Sequence, residues 1–173
     1  MSIKLILGVF VVKIKIVSYS DISSWVALSR EYDRYILEVV PDLTEWYEGN
    51  GDSTISFDDY MESKISKNEV FMATDDESNC CGVIAISKAN NRITFFGVSL
   101  SHGCNFYEVS DFLLVHALSE LNTNAIITTN IVKSCAEPFR KEHEVLSKHN
   151  FTFSHDDLEN GVPVSCMARK PQT

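Results

Sequence analysis

Glycine and proline are scarce in this chain, with 7 and 4 among 173 residues. That scarcity excludes collagen-like sequence and argues against long flexible linkers, and the chain has no internal repeat or low-complexity tract. Positive charge is also short. Lys and Arg number 15 against 24 Asp and Glu, for a formal net charge of -9, so nonspecific nucleic-acid binding is not expected. No apolar run approaches the roughly 20 residues that span a bilayer. The nearest candidate, residues 5–12, is short and has no small-residue cleavage site after it, so neither a membrane partner nor a signal peptide is expected. C-x-x-C spacing is missing too. The five cysteines stand at 80, 81, 104, 135 and 166, and the five histidines show no ligand spacing with them. Reduced thiols, a cytoplasmic setting and no metal are therefore the expectation.

The composition that remains is ordinary for a globular domain, at 45% hydrophobic and 23% charged residues. The length suits one domain with a sizeable core. We take residues 1–11 as an N-terminal extension and 12–170 as the domain. The acid is unevenly spread. Between Arg30 and Glu62 stand ten acidic residues and two arginines, nearly the whole excess. One reading is a solvated acidic face; the other is a field that attracts a cationic partner.

Periodicity then sorts the chain. Lys13-Ile14-Lys15-Ile16 alternates like a half-buried strand, placing a first strand over residues 11–18. Trp25, Val26, Leu28, Tyr32, Tyr35, Ile36 and Val39 recur at helical spacing until Pro41 stops the helix. A polar loop follows, then a short helix over residues 57–65. Residues 70–74, 81–87 and 92–98 are apolar runs separated by the turns DDESN and KANN, which predicts an antiparallel meander. Residues 109–121 form a strongly apolar helix, and AIITTNI (125–131) is a β-branched strand. Strand, helix and strand over this span predict a parallel, right-handed crossover. An amphipathic helix over about 137–149 and two strands, NFTFS and VSCMA, close the chain, with HDDLENG expected as the turn between them. The fold class is therefore α/β, a mixed sheet of about seven strands with about four helices.

This order of elements resembles the GNAT superfamily of acyl-CoA N-acyltransferases over about residues 12–170. KHNFTF is similar to the family's turn from its last helix into a Gly-Phe strand, with Asn150 in the glycine's place; Asn tolerates positive φ. The resemblance implies acetyl-CoA as co-substrate, a diphosphate cradle in the loop HGCNFYEVS, and two splayed strands that admit the pantetheine arm. The family's Gln/Arg-x-x-Gly-x-Gly/Ala motif maps in two registers, one on His102, Asn105 and Tyr107, the other on Asn105, Glu108 and Ser110. Neither reproduces its glycines. A helix N-terminus with free N–H groups is nonetheless an anion site in principle. The family's general-acid tyrosine position holds Leu146, and residues 92–98 carry no carboxylate.

The resemblance implies coenzyme contacts from Val98, Leu100, Asn105, Phe106, Tyr107, Glu108, Val109 and Ser110, with Asn130 and Ser134 toward the pantetheine amides. The backbone N–H groups of Val98 and Leu100 would stand beside the thioester. His102, Tyr107 and His143 are the candidates for proton transfer, each with a plainer reading as a surface or anchoring residue. Tyr32, Tyr35, Glu45 and Trp46 are candidate contacts for the acceptor, a small and cationic amine. The expected function is direct N-acetyl transfer. The alternative is a noncatalytic module of the same fold that binds coenzyme A or a protein partner. An exposed last strand offers edge pairing to a second copy, a candidate homodimer contact.

Overall fold

The structure is a computed structural model that describes residues 3–7, 10–40, 57–100 and 103–172. Eight strands form one sheet: β1 (Ile3–Leu7), β2 (Phe10–Ile16), β3 (Val70–Thr74), β4 (Cys80–Ser87), β5 (Arg92–Val98), β6 (Ile127–Val132), β7 (Phe151–Glu159) and β8 (Val162–Arg169). Four helices accompany them: α1 (Ile22–Val39), α2 (Phe57–Ser66), α3 (Phe106–Glu120) and α4 (Glu137–Lys148). The spatial order is β1-β2-β3-β4-β5-β6-β8-β7. The seven expected strands are all present. An eighth, β1, comes from residues read as an extension and pairs antiparallel with β2.

The meander β1 to β5 is antiparallel throughout, and α3 carries the chain across to β6, which lies parallel to β5. β3 and β4 sit mid-sheet, and their near-continuous apolar runs are buried almost throughout, as strands covered on both faces must be. On one face Trp25 of α1, with no exposure at all, meets Tyr60 of α2 at a tilt and Phe95 of β5 edge-on, each with ring centroids 6.0 Å apart. α3 packs on β3, β4 and β5, and α4 on α3, β6 and β7. His116, expected in the core or at an interface, sits half-buried with its ring 4.5 Å from Phe71. Burial pushes its pKa down.

Gly82 lets α3 approach this closely. A Cβ there would stand 2.9 Å from Leu113 Cδ1 and 3.0 Å from the Gly97 carbonyl oxygen. Gly82→Ala is therefore expected to cost about 1–3 kcal/mol, the usual penalty of overpacking a filled core. A urea melt of the variant checks this.

Three expectations need correction. The last strand, expected as an exposed edge for pairing with a second copy, is β8, which lies between β6 and β7; the edge is β7. HDDLENG is not a seven-residue turn: β7 runs to Glu159, and only Asn160 and Gly161 turn the chain, both at positive φ, 51° and 80°. Asn-Gly is the pair that a tight two-residue hairpin demands, and the acids before it are simply the exposed residues of an edge strand. Cys81 and Cys104, expected as free thiols, are joined as a disulfide, with Cα atoms 6.4 Å apart. The fold brings the start of β4 against the loop before α3, which the separation of 23 residues conceals. Asn150, by contrast, has φ of 68° as its place after α4 requires. Among the described residues no helix is long and apolar enough to cross a membrane.

Candidate active site

β5 and β6 share one register pair, Arg92 with Thr128. Asn91 staples this narrow end. Its side-chain amide donates to the carbonyls of Asn122 (2.9 Å) and Ile126 (3.0 Å), and its side-chain oxygen accepts the Asn122 N–H at 2.8 Å. From there the strands part toward their C-terminal ends.

Side chains of this protein fill the parting. Tyr32 of α1, only 5% exposed, donates its hydroxyl to the Val98 carbonyl at 2.9 Å and accepts the Val98 N–H at 2.8 Å. One residue earlier, the Glu31 carboxylate accepts the Leu100 N–H and the Ser99 hydroxyl, both at 3.0 Å. The Tyr32 ring meets Phe139 of α4 at 5.8 Å and Tyr35 at 6.5 Å. Glu142, one turn beyond Phe139, is 5% exposed. Burial lifts its carboxyl well above the usual range, and its contact with the Tyr32 hydroxyl offsets only part of that. A neutral Glu142 suits this place, because the phenol oxygen still has a lone pair once its own proton is on Val98. Burial also raises the Tyr32 pKa well above normal.

Beside this plug an open cavity of about 440 Å³ is lined by Glu31, Arg34, Tyr35, Glu38 and Leu100. Two carboxylates and a phenol ring against one guanidinium suit a cationic guest.

The expected coenzyme loop forms the start of α3. Asn105 caps the helix, its side-chain oxygen accepting the Glu108 N–H at 3.2 Å. Phe106, Val109 and Ser110 are buried, whereas Tyr107 and Glu108 are exposed. The Tyr107 hydroxyl donates to Glu144 of α4 at 2.6 Å, and Lys141 lies over the Phe106 and Tyr107 rings at 5.4 and 5.5 Å. Lys141 and Arg140 thus stand beside the loop, each in an ion pair with a glutamate of its own helix.

His143 is exposed although Leu146, one turn on, is buried, so the two do not share a face. Asn130, on β6, donates to Glu159 at 3.1 Å. Ser134 accepts the Ala136 N–H at 3.0 Å and so closes the loop before α4. His102, Glu45 and Trp46, with Glu48 and Asp52 of the acidic segment, lie outside the described residues. Sequence reading missed Glu142 and Phe139. The signal for Glu142 was legible: it is a carboxylate within the apolar stripe Pro138, Phe139, Val145, Leu146 of α4.

No family model matches the sequence, and no curated protein does. Solved structures do match the fold. A GNAT-family acetyltransferase from Bacillus cereus superposes with a TM-score of 0.60 at 16% identity, over 94% of this chain and 99% of the other. The PaiA N-acetyltransferase of Thermoplasma acidophilum, solved with coenzyme A, gives 0.63 at 11% identity over 92% and 98%. Ard1 from Thermoplasma volcanium gives 0.60 at 14% identity over 94% and 99%. This chain has the GNAT acetyltransferase fold. β5 and β6 are the strands that the resemblance expects to splay, and Asn105, the cap of α3, lies within the loop expected to cradle the diphosphate. The Val98 and Leu100 amides, the groups expected beside a thioester, are both met here by side chains of α1.

Proposed function

We propose that the protein is an acyl-CoA-dependent N-acetyltransferase for a small cationic amine, with the amine held in the cavity of Glu31, Glu38 and Tyr35. The observation that carries this reading is where that cavity lies. It opens at Leu100, just beyond the parting of β5 and β6, and its carboxylates outnumber its cation. Glu31 and Glu38 would draw in the ammonium form, and Tyr35 would contact its aliphatic part. Glu31 is the carboxylate nearest the parted strands and the best placed to take the amine's proton. The Val98 N–H would polarise the acyl carbonyl, a role open to it once the Tyr32 hydroxyl withdraws. Tyr107, Lys141 and Arg140 border the side from which the coenzyme would enter.

Glu38→Gln is expected to raise KM for a diamine about tenfold, since about 1.4 kcal/mol is a modest share of a close charge pair near a surface, whereas Glu31→Gln, which also removes the proposed base, should lower kcat by about 10²-fold or more. KM for acetyl-CoA should stay unchanged. Steady-state release of the coenzyme thiol across a panel of mono-, di- and polyamines measures both. A panel without turnover, in a protein that still gives heat on titration with acetyl-CoA, would replace this reading by the second.

That second reading is a noncatalytic module, and one observation favours it. Tyr32 satisfies both backbone groups of Val98 while Phe139 and Glu142 close in behind it, leaving a parting already filled from within. The Tyr32→Phe variant separates the two. An enzyme with a displaceable hydroxyl should bind acetyl-CoA more tightly once Val98 is released. A module whose cleft stays closed, and which meets coenzyme A elsewhere or binds a protein partner instead, should show no change.

A further inference from the structure

We propose that His155, Asp157 and Cys166 form a binding site for a thiophilic divalent metal ion of the zinc class, with three protein ligands and one position open to water. The site lies on the β7–β8 hairpin, separate from the cavity beside Leu100. One ligand atom from each residue lies within 4.8 Å of the others. A tetrahedral ion with bonds of about 2.0–2.3 Å needs its ligands about 3.5 Å apart, a spacing that atoms grouped within 4.8 Å already approach; His155 Nδ1 meets the Ser154 hydroxyl at 3.0 Å and Asp157 accepts the Leu158 N–H at 2.8 Å.

The backbone shows how the fold builds this group. β7 and β8 pair Phe153 with Met167 and then His155 with Cys166, with Ser154 bulged out between them. A regular ladder would set Ser154 opposite Cys166 and turn His155 to the other face, because side chains alternate along a strand. Bulges re-aim side chains in this way. After the bulge His155, Asp157 and Glu159 share a face with Cys166, and Asn130 of β6 pairs with Cys166 from the other side. Asn130 in turn holds Glu159 at 3.1 Å.

The donor set selects the ion. A thiolate, an imidazole and a carboxylate together suit zinc and its neighbours, whereas magnesium and calcium require oxygen ligands. With one thiolate and one carboxylate the protein supplies two negative charges, which a divalent ion neutralises; binding releases the thiol proton to solvent. The other grouping of this kind among the described residues, Asp75 with Cys81 and Cys104, has both sulfurs in the disulfide.

The test is a titration of the whole protein with Co²⁺ and then Zn²⁺, in a Cys104→Ser background kept reduced by a phosphine. We expect one Co²⁺ per chain, with the intense visible bands of tetrahedral cobalt and a thiolate-to-metal charge-transfer band. Zn²⁺ should bleach both, and excess Mg²⁺ should not. Cys166→Ser should abolish the charge-transfer band. His155→Ala and Asp157→Asn should each weaken binding by more than about tenfold, the least that losing even a supporting contact costs a metal site. His155 and Asp157 are exposed, so the variants should melt with the parent, and circular dichroism verifies this. Weak, pale octahedral cobalt spectra, or a charge-transfer band that survives Cys166→Ser, would overturn the proposal and leave a solvated hairpin.

Discussion

Lys64→Met is expected to destabilise the protein by about 3–5 kcal/mol, the range for removing one partner of a buried ion pair. Lys64 of α2 and Glu69, just ahead of β3, are 7% and 6% exposed, with the ammonium 3.3 Å from the carboxylate. The ammonium also donates to the Ile86 carbonyl, and the carboxylate accepts the Lys88 N–H at 2.9 Å. α2 is thereby tied to both the entry of β3 and the end of β4. Methionine fills the volume of the lysine stem but leaves Glu69 charged, buried and short of its cation. The double variant Lys64→Met/Glu69→Gln keeps an acceptor for Lys88 and removes both charges. It should lose less than the two single variants together, with a coupling of about 0.5–3 kcal/mol in a urea-melt cycle. Additive losses would show that the pair does not act as a unit.

The same pair sets an acid limit. Burial alone would raise the Glu69 pKa, but the Lys88 N–H and the Lys64 ammonium outweigh it and hold the carboxyl below its ordinary value of 4.5. A depressed carboxylate contributes stability that is present above the unfolded pKa and is lost as pH falls through the folded one. Lys64→Met should narrow the loss of stability seen on acidification.

Glu142→Gln is the second large effect, and its sign is opposite. Burial holds the Glu142 carboxyl well above its ordinary value of 4.5. Above that ordinary value the folded protein keeps a proton that the unfolded chain releases. The stability from this proton is complete below the unfolded pKa and is lost as pH rises toward the folded one. One proton changes stability by up to about 1.4 kcal/mol per pH unit. Glutamine keeps the shape and a donor for the Tyr32 oxygen without an ionisable group. The variant should therefore gain on the parent as pH rises above the carboxyl's ordinary value of 4.5, until the folded Glu142 itself ionises. Urea melts of both proteins at several pH values measure the difference, in which the acid-side contribution of Glu69 cancels. Parallel pH profiles would mean that Glu142 ionises in place, and that the plug behind Tyr32 is wet.

The resemblance to the GNAT fold and the order of its elements are legible in the sequence. Each rests on information carried within about ten neighbouring residues: the alternation of Lys13 to Ile16, the turns DDESN and KANN, the helical spacing from Trp25 to Val39, and the Asn at 150 that adopts φ of 68°. The local rule also failed where it met a turn. The polar run 155–161 looked like loop because an exposed edge strand has nothing apolar to alternate with.

By itself the sequence determined an α/β chain with a parallel crossover after a meander, a net negative charge and an acidic stretch between Arg30 and Glu62. Only the tertiary structure decided which groups meet. Tyr32 reaches Val98 across 66 positions and Glu31 reaches Leu100 across 69; Cys81 finds Cys104, and a single bulged residue turns His155 toward Cys166. Periodicity tells a residue which face of its own element it occupies. What stands opposite that face depends on how far the helices are packed down, where the ladder slips and where two strands part, and those are properties of the whole core.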